Sequence, residues 1–103
     1  MIKTRTYTLE STVWLYKGGT ASWHFMSLPQ PEARDIKTVF GAHSRGFGSL
    51  PVHVEIGATT WRTSIFPNAK SGSYILPLKK SVRTAENITN GDTVTYTITI
   101  PPR

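Results

Sequence analysis

The residues with the clearest chemical potential are cations. Arg62 stands in the alternating run Trp61-Arg62-Thr63-Ser64-Ile65, on the face opposite Trp61, Thr63 and Ile65 and beside Ser64. A guanidinium offers a rigid fork of donors to a carboxylate or a phosphate, so Arg62 with Ser64 is a candidate anion clamp. An ordinary outward strand position, or a cross-strand pair with Glu55, explains the same arginine. Lys79, Lys80 and Arg83 form a second candidate. Lys80 and Arg83 are three apart and therefore neighbours on a helix, where they could grip phosphates with salt-dependent, sequence-blind affinity. A solvated helix face accounts for them as well.

Other chemistries find little material. His24, His43 and His53 are too scattered for a recognised metal spacing, with no acid at a helical step from any of them, and are read as ordinary strand and loop histidines. Of the six acids, Asp92 is assigned to the Asn90-Gly91-Asp92 turn, and Glu32 and Asp35 to a helix start. Ser27 or Ser64 near a histidine would suit a hydrolase, but no nucleophile elbow is present. Gly46-Phe47-Gly48 is too short for a phosphate loop. The absence of cysteine excludes disulfides, thiolate metal sites and a cysteine nucleophile. No cofactor is expected, and an enzyme is the less expected class. The aromatics Trp14, Tyr16, Trp23, Phe25 and Trp61 could form a stacking platform or an apolar pocket, although most are expected in the core. Trp14 and Tyr16 are the exceptions, because alternation sets them opposite Val13 and Leu15; they are candidates for contact with a partner or with the second helix.

These side chains must be held by a small scaffold. The chain has 103 residues, which suits one domain spanning 1–103. Its composition, 38% apolar and 11% aromatic, is that of a folded chain. Twelve basic against six acidic residues leave +6, which favours anionic partners, whether a small molecule, an acidic protein or nucleic acid. The charge is spread thinly, without the like-charge run of a nucleic-acid tail. No window is apolar enough for a membrane span, and the segment Met1-Ile2-Lys3-Thr4-Arg5-Thr6 lacks a signal-peptide core, so no membrane partner and a cytoplasmic location are expected.

Hydrophobic period places the elements. Residues 6–16 alternate, with Tyr7, Leu9, Val13 and Leu15 on one side; Lys17-Gly18-Gly19-Thr20 then turns the chain into a strand from Trp23 to Leu28. Pro31-Glu32-Ala33 opens a helix whose face is Ala33, Ile36, Val39 and Phe40, with Gly41 as terminator. Residues 42–49, with His43 and Arg45, are expected to be a mobile loop. Strands follow around Val52 to Ile56, Trp61 to Ile65 and Tyr74 to Leu78, with turns at Gly57-Ala58 and from Pro67 to Gly72. Leu78 to Asn87 suits a short helix with Leu78, Val82 and Ala85 on one side and the cations toward solvent. Asn90-Gly91 launches the cleanest strand, in which Val94, Tyr96, Ile98 and Ile100 alternate with threonines. About six short strands and two helical insertions indicate a mainly β fold, a small barrel or strongly twisted sheet.

The order of these signals resembles a known family. Leu28-Pro29, Phe40-Gly41, Trp61 to Pro67, Gly72 to Pro77, Lys79-Lys80-Ser81-Val82-Arg83 and Gly91-Asp92-Thr93-Val94 together are similar to the DUF1905 family of small, mostly bacterial domains without an established function. The resemblance runs from about Tyr7 to Ile100 and implies a double-split β-barrel, related in shape to the AbrB and MazE type transcription factors. The final third is similar to the AbrB-type element of strand, proline, short helix with arginine and Gly-Asp turn, near which basic residues contact DNA in those dimers. Those chains are about half as long, whereas this one holds both halves, so a monomer is favoured over a homodimer. The expected function is a binding or accessory module that captures an anionic ligand or partner through Arg62, Ser64, Lys79, Lys80 and Arg83, flanked by Trp14 and Tyr16. A DNA-binding regulator of AbrB shape and a ligand-binding barrel or enzyme with an aromatic pocket are the alternatives.

Overall fold

The computed structural model describes residues 2–44 and 46–102; Arg45, placed by sequence in the loop, lies outside the described residues. In chain order the elements are β1 (Arg5–Gly18), β2 (Ala21–Ser27), α1 (Gln30–Phe40), β3 (Leu50–Ile56), β4 (Thr59–Asn68), β5 (Ser73–Pro77), α2 (Lys80–Glu86) and β6 (Thr93–Ile100). The strands close into an antiparallel barrel in the order β1-β2-β5-β4-β3-β6. The mainly β, six-stranded barrel with two helices that the sequence and the family resemblance imply is therefore the fold.

Two long strands make the closure. The first half of β1, Arg5 to Thr12, pairs with β6, and the second half, Val13 to Gly18, pairs with β2. Likewise β4 pairs with β3 from Thr59 to Ile65 and with β5 from Phe66 to Asn68. Each therefore belongs to two sheets, and the barrel turns its corners along them. Closure pairs each strand on both sides over part of its length, which reduces the edge groups that a threonine-rich chain would otherwise offer to its neighbours.

The interior holds Leu9, Val13, Met26, Val52, Val54, Ile65, Leu76, Tyr96 and Ile98, all buried. On β6 every second residue, from Val94 to Ile100, is buried, so a one-residue slip would turn four apolar side chains into water. At about 1.5–3 kcal/mol per buried side chain, that loss would be on the scale of the whole stability of a small domain, about 5–15 kcal/mol. One polar cluster crosses the core: Ser11 donates to the Ser27 carbonyl at 2.7 Å, and its hydroxyl lies 2.8 Å from that of Tyr96. Since β2 and β5 are antiparallel, the helices that follow them leave at opposite ends of the barrel. Helix α1 buries Ala33, Ile36 and Phe40. It is tied to β1 by Asp35, which accepts from Tyr7 Oη at 2.5 Å and from Arg5 at 3.2 Å. Asp35 thus serves a tertiary contact and not the helix start assigned from sequence.

Several local expectations change. Gly41 does not terminate α1 in the left-handed region: its φ is −56°, and the chain continues into a 3-10 turn, Gly41–His43. The loop expected at 42–49 carries a second such turn at Gly46–Gly48, where Phe47 has φ 60° and is 99% exposed. Strand β4 runs on through Pro67 to Asn68 before the chain turns. Helix α2 starts at Lys80, and Asn87, in the left-handed region, caps it by donating to the Arg83 and Thr84 carbonyls. Ala85 is exposed and does not share the inner face with Val82. The β3–β4 turn needs Gly57 because its φ is +55°, a conformation strained for residues with a Cβ; the nearby Glu86 carboxylate accepts from Thr59 Oγ1 at 2.6 Å.

Tyr7 and Tyr96, together with Tyr74, whose pKa burial also raises, make the fold sensitive to alkali. Burial, and then the hydrogen bond and charge of Asp35, push Tyr7 up to about 12, while Arg5 opposes the shift. Burial does the same for Tyr96, also to about 12. Below pH 10 both phenols are neutral in either state. Above it the unfolded chain loses protons that the folded chain keeps, so stability falls as pH rises from 10 toward 12. Chemical denaturation midpoints measured across that range should decline, and a Tyr7→Phe, Tyr96→Phe variant should flatten the decline.

Candidate anion-binding site

The barrel's outer surface is divided by chemistry. Around β1, β6 and β3 it is a threonine field, in which Thr6 meets Thr99 and Thr12 meets Thr93 through their hydroxyls at 3.3 and 3.4 Å. Around β2, β5 and the ends of β1 and β4 it is aromatic and apolar. The register sets Tyr16 opposite Trp23, Trp14 opposite Phe25, Phe25 opposite Pro77, and Ile75 opposite Phe66. Trp14 and Phe25 pack with ring centroids 5.0 Å apart, and Trp14 Nε1 donates to Ser27 Oγ at 3.0 Å. Tyr16 and Trp23 remain 53% exposed, so this surface is not core. The expectation that most of the five aromatics lie in the core therefore fails: none of them is buried, and Trp61 is half-buried and packs against the core without entering it. Trp14 and Tyr16 lie on the outer sheet.

The cations converge where β5 ends. This strand is only five residues long, so beyond Pro77 no strand pairing joins Ser22–His24 of β2 to Trp61–Thr63 of β4 among the described residues, although Leu78 N still donates to the His24 carbonyl. The gap is a cavity of about 350 Å³ lined by Ser22, Trp23, His24, Trp61, Arg62, Thr63, Pro77, Leu78, Lys79, Lys80 and Arg83. Arg62 from β4 thus meets Lys79, Lys80 and Arg83 from the start of α2. Ser64 is not among the lining residues, and it lies opposite Pro51 of β3. No carboxylate lines the cavity among the described residues. The cross-strand ion pair of Arg62 with Glu55 is not among the ion pairs of the described residues, although Glu55 stands diagonal to Arg62, which faces His53. Among the described residues the one ion pair is Arg5 with Asp35, far from this site in the chain.

Arg83 is less free than a solvated helix face would make it. It is half-buried, and its Nε donates to the Leu78 carbonyl at 3.1 Å, a group that the end of β5 leaves without a ladder partner. Its side chain is thereby held across the cavity wall. His24, read from sequence as an ordinary histidine, belongs to the same wall. Its backbone carbonyl accepts from Leu78 N at 2.9 Å. Its Nδ1 is buried with no hydrogen-bond partner among the described residues, which is rare for an interior polar atom. Burial first, and the nearby Arg83 charge second, lower its pKa from the ordinary value, so the ring stays neutral at physiological pH. No local signal could have found it, because His24 reaches the cations only through the β2–β5 register. His43 and His53 lie elsewhere, the former in the first 3-10 turn and the latter on β3.

Two surfaces therefore meet. Adjoining the cationic cavity is an apolar groove of about 590 Å³ lined by Trp14, Tyr16, Trp23, Phe25, Phe66, Asn68, Ile75 and Pro77. Trp23 and Pro77 line both. Chemically, the cavity can hold an anion by guanidinium and ammonium donors, and the groove can cover a planar or apolar body. No helix among the described residues is long and apolar enough to cross a membrane.

No curated protein matches the chain. The model of a domain of unknown function, DUF1905, matches residues 10–98. That stretch runs from within β1 to within β6, so it takes in the barrel walls, both helices, the cationic cavity and the aromatic groove. The chain belongs to the DUF1905 family.

Proposed function

We propose that this protein is a binding module that captures an anionic ligand in the cavity at the end of β5. The observation that carries the reading is the convergence of Arg62, Lys79, Lys80 and Arg83 on one concavity whose described lining holds no carboxylate. Like charges in one site repel, and a surface without a use for them would intersperse acids. An anion relieves that repulsion while gaining charge-assisted hydrogen bonds. The volume, about 350 Å³, falls within the range of small-molecule sites, roughly 300–1,000 Å³. Trp23 and Trp61 supply apolar walls.

Isothermal titration with inorganic tripolyphosphate at low and moderate salt tests the proposal. Saturable one-to-one binding that weakens as salt rises is the expected result. Absence of saturable binding at low salt would refute it. Random-sequence duplex DNA belongs in the same series, because the AbrB-type reading expects tight, salt-steep duplex binding. Duplex binding by a dimer, without competition from tripolyphosphate, would favour that reading over this one.

A further inference from the structure

We infer that the ligand is single-stranded nucleic acid, with phosphate held by the cations at the end of β5 and unpaired bases lying on the aromatic face of β1, β2, β5 and β4. The inference rests on the anion-capture reading and names the ligand class for it. Three observations carry it. The first is continuity: Trp23 and Pro77 belong to both the cationic cavity and the apolar groove, so a molecule with charge at one end and a flat apolar body at the other can lie across both. The second is the composition of the groove. Its walls are Trp14, Tyr16, Trp23, Phe25 and Phe66 with Ile75 and Pro77, and Tyr16, Trp23 and Phe66 are 53%, 53% and 40% exposed. Exposed aromatic rings beside a cationic track are how sequence-tolerant single-strand binding is built, since every base has a face to stack and every linkage a phosphate. The third is charge. The protein carries +6, and neither cavity has a carboxylate in its described lining.

Size separates a strand from a single nucleotide. The aromatic face crosses four strands, β1 to β4 through β2 and β5, and so spans three strand spacings of about 4.8 Å each. One base cannot cover that width together with the cationic cavity. A duplex does not fit either, because its bases are stacked on one another and their faces are closed to aromatic side chains.

The test is fluorescence anisotropy with a short fluorescein-labelled oligothymidylate, compared with an abasic strand of the same length, the matching duplex and thymidine monophosphate. The oligothymidylate should bind about tenfold or more tighter than the abasic strand and than the monophosphate, because one stacked base contributes about 1–3 kcal/mol and each 1.4 kcal/mol is tenfold. A Tyr16→Ala, Phe66→Ala variant changes exposed groove residues outside the cationic lining. It should lose about tenfold for the oligothymidylate and nothing for the abasic strand, with its melting temperature as the check on folding. If that variant is destabilised, Tyr16→Ser alone reads the same difference. Equal binding of abasic strand and oligothymidylate would overturn the inference while leaving anion capture standing. Loss of both, together with tripolyphosphate, would overturn anion capture itself. A monophosphate as tight as the strand, a duplex as tight as the strand, or no effect of the groove variants would each also overturn it.

Discussion

An Arg62→Gln, Lys79→Gln, Lys80→Gln variant should bind tripolyphosphate about a hundredfold more weakly than the wild type, with its melting temperature nearly unchanged. A hydrogen bond to a charged group contributes about 1.5–3 kcal/mol when shielded. Lys79, Lys80 and Arg62 are exposed, so solvent and salt screening bring each closer to about 1 kcal/mol. Three such losses amount to roughly two powers of ten, at about 1.4 kcal/mol for each tenfold. The dependence of log affinity on log salt should flatten as well, because fewer counterions are exchanged. Arg83 is left in place deliberately, since its Nε holds the Leu78 carbonyl and its removal would confuse binding with folding. Surface substitutions of this kind usually stay within about 0.5 kcal/mol of stability. Titration calorimetry beside a thermal melt reads both quantities. Wild-type affinity in a folded triple variant would remove the cavity from consideration.

Phe40→Ala should be the most damaging single substitution in α1, lowering stability by about 3–5 kcal/mol. Phe40 is fully buried at the last position of α1, next to the turn at Gly41. Its ring sits in a core with Ile36 and Ala33, and Asp35 adds a tie to Tyr7 and Arg5 on β1. The lost transfer energy is joined by the cavity that a fixed barrel cannot collapse. For a domain of this size each kcal/mol moves the melting temperature by roughly 4–8 °C, so a fall of more than about 10 °C is expected by differential scanning calorimetry. Val39→Ala, at a half-buried position on the same helix, should cost clearly less. Equal effects of the two would mean that α1 is not anchored through Phe40.

How far the sequence could be read depends on which faces of each element are buried. On β6 the alternation of Val94, Tyr96, Ile98 and Ile100 with threonines translates directly into an inner and an outer face. On β3 the same holds for Val52, Val54 and Ile56 against His53 and Glu55. Along the second half of β1 and along β2 both faces carry apolar side chains, so the period no longer says which is the core. There alternation sets Trp14 and Tyr16 opposite Val13, but it gives no such sign for Trp23 and Phe25, which only their pairing with Tyr16 and Trp14 puts on the outer face. Arg83 shows a second limit. Helical spacing alone turns it toward solvent with Lys80, whereas the free carbonyl of Leu78 draws it back against the wall.

What the sequence by itself determined is local: strand and helix periods, the turns at Gly57 and Gly91, the absence of thiol chemistry, and a basic charge that includes Arg62, Lys79, Lys80 and Arg83. The tertiary structure alone decided which of them meet. The strand order β1-β2-β5-β4-β3-β6 brings Arg62 of β4 beside Trp23 and His24 of β2, and the short β5 opens the space between them into which Lys79 and Lys80 project. It also took Asp35 away from the helix start and gave it to Tyr7, and it separated Ser64 from the clamp. The physical reason is common to all of these. Period and turn chemistry act over a few neighbouring residues, while register and closure are set by burial summed over strands dozens of residues apart.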